Sequence, residues 1–188
     1  MHVFDAIKRV GWVYGWSYRQ HRARYATVPY EPAIELAAHI VAASANVPVY
    51  YAPNPYKGVR GCAGAFYWWD HTPYVVVRNT VRPSYRVHVL LHELGHALRP
   101  NPIVLAASLC DFDLGKEEMI VEGAAAIIQD EIFGVASPRS IKASAEYIAL
   151  YYSQKLRQQN YLEYGYAEDV YDLVGEFVKH GLLNREVG

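Results

Sequence analysis

Apolar residues recur at steps of three and four along most of this chain, and at steps of two only between the second and third helical patterns. Val3, Ile7, Val10, Tyr14 and Tyr18 share one helical face between Val3 and about Arg24, a helix weakened by Gly11 and Gly15. Glu31-Pro32 starts a second helix, with proline in the first turn and Ile34, Ala37, Ala38, Val41 and Ala45 as its stripe; Asn46 and Pro48 end it. Val47–Tyr51 reads as a strand. Ala63–Trp69 and Tyr74–Val77 read as two more, joined into a hairpin around Asp70-His71-Thr72-Pro73, with His71 a solvated turn residue.

After Arg82-Pro83, the residues Val87, Leu90, Leu91, Leu94 and Leu98 mark an amphipathic helix that stops at Pro100. Asn101–Gly115 is irregular. A helix from about Lys116 to Phe133 closes at Gly134. Ser137-Pro138 caps another, with Ile141, Ala145, Ile148 and Tyr152 on one side, extending to about Gln159. A last helix spans about Tyr166 to His180, with Gly181 as its stop. This order predicts an α+β fold with segregated layers, a small and mostly antiparallel sheet packed on helices. At 188 residues it predicts one domain, divided into an N-terminal segment 1–30, a core 31–133 and C-terminal helices 137–188.

Charge changes this picture little. Eighteen Lys and Arg face 19 Asp and Glu, and a net charge of −1 leaves no global footprint for nucleic acid. Locally, Lys8, Arg9, Arg19, Arg22 and Arg24 against Asp5 make the first 30 residues basic, interleaved with Trp12 and Trp16. The favoured reading is an aromatic face packed inward with its arginines in solvent, ahead of direct nucleic-acid contact. The two cysteines, Cys62 and Cys110, are too few for a disulfide scaffold and are expected as buried thiols. Asp5, Lys8 and Arg9 interrupt any secretory signal, and no apolar run is long enough to span a membrane, so a cytoplasmic protein is expected.

The chemistry sits in the helix after Pro83. His92-Glu93-Leu94-Gly95-His96 is the H-E-x-x-H pattern. Residues four apart stand one turn above each other, so both imidazoles can reach one zinc ion, while Glu93 lies angularly between them and can contact water without being a ligand. Catalytic zinc usually takes three protein ligands, and the next predicted helix offers Glu117, Glu118 and Glu122. Glu122 is the expected third ligand, because Gly123, Ala124, Ala125 and Ala126 beside it allow close approach of the two helices. Glu118 is the alternative, in which case Glu122 would orient a ligand histidine. His88, one turn before His92, is expected to pack or to support a ligand.

His92-Glu93-Leu94-Gly95-His96-Ala97-Leu98 followed by Glu122-Gly123-Ala124-Ala125 resembles the gluzincin metallopeptidases, and in element order over roughly Glu31–Phe133 it resembles the ImmA/IrrE family. That resemblance implies a zincin-like fold with one zinc per chain, and a site-specific endopeptidase acting on a protein such as a DNA-binding repressor. The sequence has Ile127-Ile128-Gln129 where that family usually carries Phe-Ala, and it shows no helix-turn-helix.

Glu93 would act as general base on the attacking water. The peptide would lie along Ala63–Trp69 or Tyr74–Val77, whichever is the sheet edge. Asn101–Gly115, with Asp111 and Asp113, would form a cleft wall. Tyr147, Tyr151, Tyr152 and His180 are candidate oxyanion stabilisers, none singled out among 17 tyrosines. The competing class is a catalytically silent binding module with a structural metal, which would have no use for Glu93. An aminopeptidase would show an acidic anchor for the substrate amine, and none is identifiable.

Overall fold

The computed structural model describes residues 30–56, 61–99, 114–129, 143–148 and 161–182. The chain divides into two compact units, one of Val28–Phe112 with Glu176–Gly188, the other of Met1–Thr27 with Asp113–Gly175. The N-terminal segment, Asn101–Asp113, Cys110, Tyr151 and Tyr152 lie outside the described residues.

In the first unit α1 (Tyr30–Ser44) leads into β1 (Val49–Ala52), β2 (Gly64–Trp69), β3 (Thr72–Arg78) and α2 (Pro83–Leu98). The end of α1 is set by Asn46, which takes a left-handed φ of 53°. The amide of Val47 then donates to Ala42 O at 2.8 Å and that of Asn46 to Ala43 O at 3.2 Å, so two carbonyls of the last turn are satisfied. Proline opens α2 at Pro83, where its fixed φ suits the first turn and its missing N–H has no helical partner to lose. Asp70 and His71 both have positive φ, 47° and 62°, the type I′ geometry that matches the twist of a two-residue hairpin.

The sheet has three strands in the order β1-β3-β2. It is mixed: β2 and β3 are antiparallel, but β1 runs parallel to β3, with Val49 opposite Val75 and Tyr51 opposite Val77. This corrects the mostly antiparallel arrangement expected. The hairpin inserts its second strand, rather than its first, beside β1, so the intervening β2 acts as a crossover and reverses the expected direction. Central β3 turns Val75 and Val77, both 0% exposed, toward the helices. Helix α2 packs on α1, β2 and β3. Its Leu90, Leu91 and Leu94 are fully buried with Ile34, Ala38 and Val41 of α1, and each such leucine contributes about 1.5–3 kcal/mol over an exposed one. The opposite sheet face carries stacked tyrosines, with Tyr67 5.1 Å from Tyr74 and 6.1 Å from Tyr56.

A polar clamp fixes the first half of α2. Arg86 makes two 2.9 Å bonds to the Glu35 carboxylate on α1, and Tyr51 of β1 donates to the same group at 3.1 Å. Burial pushes the Glu35 carboxyl up, but the hydrogen bonds from Arg86 and Tyr51 and the Arg86 charge outweigh it and leave it below its ordinary 4.5. A carboxyl depressed on folding adds stability above its unfolded pKa and loses it as pH falls through the folded value. Arg86→Gln should therefore cost about 1 kcal/mol in urea unfolding at pH 7, given the partial exposure of the pair. The deficit should persist at pH 5 and shrink only below 4.5; a deficit already gone at pH 5 would contradict the clamp.

In the second unit, α3 (Leu114–Ile127) is followed by a helical turn over 143–148 and by α4 (Tyr161–Lys179), whose last residues belong to the first unit. Helix α4 begins ahead of the expected Tyr166, running through Gly165 despite that residue's poor helix propensity. It ends as expected at Gly181, where φ is 97° and the amide of Leu182 donates to Phe177 O at 3.0 Å. From Met119 to Gln129 every residue is buried, whereas Gly115, Lys116 and Glu118 in the first turns of the helix are partly exposed. Lys116 ties α3 to α4 through Asp169 at 2.8 Å. Among the described residues no helix is long and apolar enough to cross a membrane.

Candidate metal centre

Helix α2 brings His92 and His96 together because four residues make about one turn. Their ring centroids are 5.1 Å apart and their planes lie at 75°. His96 is buried, with Phe66 of β2 stacked on it at 6.1 Å and 27°. Such an apolar wall holds the imidazole in place and lowers the local dielectric around whatever it binds.

Glu93 lies under the start of β2. A Cβ built on Gly64 would stand 2.7 Å from both Cγ and Oε1 of Glu93 and would collide with Val89 Cγ1. Only glycine lets the edge strand come this close to the carboxylate. Gly64 falls inside a strand pattern in the sequence, and an isolated glycine there is the signal that a backbone approaches closely. Gly64→Ala should lower stability by about 1–3 kcal/mol through overpacking against Val89 and displace Glu93. Thermal unfolding would test this, and an unshifted melting temperature would contradict the packing.

Cys62 sits beside this corner, its thiol donating to Gly64 O at 2.6 Å. It is half-buried rather than fully buried as expected, because it precedes an edge strand. Burial pushes its thiol up, and the neighbouring Glu93 carboxylate pushes it further. It is therefore a poor nucleophile.

The three predicted carboxylates stand on α3. The donor atoms of His92, His96 and Glu118 all lie within 4.8 Å of one another. Ligands about 2.1 Å from a tetrahedral zinc are about 3.4 Å apart, a spacing inside that bound. Two imidazoles and one carboxylate are a donor set suited to zinc. Glu122, the expected third ligand, is buried one turn further along α3 and is not in this group; the alternative, Glu118, is. The small residues after Glu122 do not single out one face, because every residue from Met119 to Gln129 is buried. Glu117 is buried beside them.

The remaining candidates separate. His88 stacks on Tyr85 at 6.3 Å and is outside the group. His180, at the end of α4, lies 3.3 Å from Ser44 Oγ and 3.9 Å from Glu176, apart from the metal-ligand group. Tyr147 reaches the group indirectly, its hydroxyl donating to Glu118 Oε2 at 2.7 Å. Comparison with protein-family models, with curated proteins and with solved structures found no match.

Proposed function

We propose that this chain is a zinc-dependent endopeptidase of the gluzincin type, resembling the ImmA/IrrE family. The observation that carries the reading is that donor atoms of His92, His96 and Glu118 lie within 4.8 Å of one another, with Glu93 next to His92 on the same helix. Those three residues would hold one zinc per chain, with Glu122 the alternative carboxylate, and zinc would polarise the scissile carbonyl and make water more acidic.

Glu93 accepts the proton from water as the water oxygen bonds to the carbonyl carbon, and delivers it to the amine nitrogen as the C–N bond breaks. The substrate lies along β2. Central β3 is flanked on both sides, whereas β2 has one described neighbour and presents an edge to an extended peptide. A peptide added there passes Gly64, and so passes Glu93. A DNA-binding repressor as the natural substrate follows from the family resemblance alone.

The test is digestion of a proteome-derived peptide library by the zinc-loaded protein, with new N-termini identified by mass spectrometry. Cleavages that vanish on chelation and return with added zinc support the reading. Zinc uptake without any cleavage in the library or in candidate repressors would favour the silent binding module instead.

A further inference from the structure

We infer that Tyr147 is a positioning residue that presents Glu118 to the metal. This rests on the peptidase reading only for the identity of the metal site. The Tyr147 hydroxyl donates to Glu118 Oε2 at 2.7 Å, and the metal-ligand group needs only one carboxylate oxygen. Occupying one oxygen restricts the rotation of the carboxylate about its last bond and would present the group to a metal in one orientation.

A glutamate side chain has three flexible torsions, whereas tyrosine is a rigid ring on two, so the phenol is the stiffer of the two partners. Its own base is anchored. In the helical turn 143–148, Ser144 and Ile148 are 3% and 2% exposed, which pins the turn on either side of half-buried Tyr147.

The chemistry of the donor matters as much as its place. A phenol hydrogen-bonds a carboxylate without cancelling its charge, so Glu118 keeps the negative charge that a divalent cation requires. The contrast is Glu35, whose two oxygens are both taken by the Arg86 guanidinium. Lys116, on the same helix as Glu118, is paired with Asp169.

The test is Tyr147→Phe, which removes one hydroxyl and keeps the ring. Zinc affinity is read by chelator competition, the fold by melting of the metal-free protein, and ligand geometry by the visible absorption of the cobalt(II)-substituted protein. The expected result is zinc affinity weaker by about 10- to 100-fold and an altered cobalt band, with the metal-free melting temperature within a few degrees of wild type. In a Glu118→Ala background the same change should add no further loss, because Tyr147 acts through Glu118. Tyr147→Phe protein that binds zinc as tightly as wild type with the same cobalt band would overturn the inference and leave the metal site standing. An equal loss in the Glu118→Ala background would also overturn it, by showing an effect through the fold. Failure of the wild type itself to take up zinc would remove the site and this inference with it.

Discussion

On the proposed peptidase reading, Glu93→Gln is expected to keep zinc binding and lose peptide cleavage. Glutamine has nearly the shape of glutamate, so the packing under Gly64 survives, and Glu93 is not among the donors that converge for a metal. The amide cannot accept a proton from water at neutral pH. General-base catalysis supplies about 10²- to 10⁴-fold, so turnover should fall by that factor, equivalent to about 2.7–5.4 kcal/mol of barrier. Elemental analysis and peptide turnover on one preparation make the test. Equal zinc with a collapsed rate supports Glu93 as the base, whereas undiminished cleavage removes it from that role. The substitution also separates the enzyme from the binding module, because a silent module would be indifferent to it.

Much of the frame was legible where a local signal has one physical meaning. Pro83 and the leucine stripe after it give α2, Asp70-His71 gives the hairpin, and Asn46 and Gly181 give two helix ends, each confirmed by a positive φ. The pairing of His92 with His96 follows from helical pitch alone. What was not legible depends on partners distant in sequence. The direction of β1 is decided by which strand of the hairpin lies beside it, and alternating residues do not encode that choice. The choice between Glu118 and Glu122 was not legible for a related reason: from Met119 to Gln129 every residue is buried, and no polar face there fixes the helix's rotation. Gly64 was read as part of a strand, and its contact with Glu93 became visible only once β2 was laid across α2.

The central claim is a metal held by two histidines and a carboxylate, and the most direct measurement of it is zinc content. Untagged protein purified without chelator should be compared with His92→Ala, Glu118→Ala and Glu122→Ala by elemental analysis, with circular dichroism to confirm the fold of each. Losing one of three ligands should lower zinc affinity by orders of magnitude and strip the ion during purification. The account predicts about one zinc per wild-type chain, lost with His92 and with Glu118 and retained with Glu122. Zinc lost with Glu122 and kept with Glu118 would move the third ligand one turn along α3. Wild-type protein that carries no zinc and takes none up from solution would contradict the account outright.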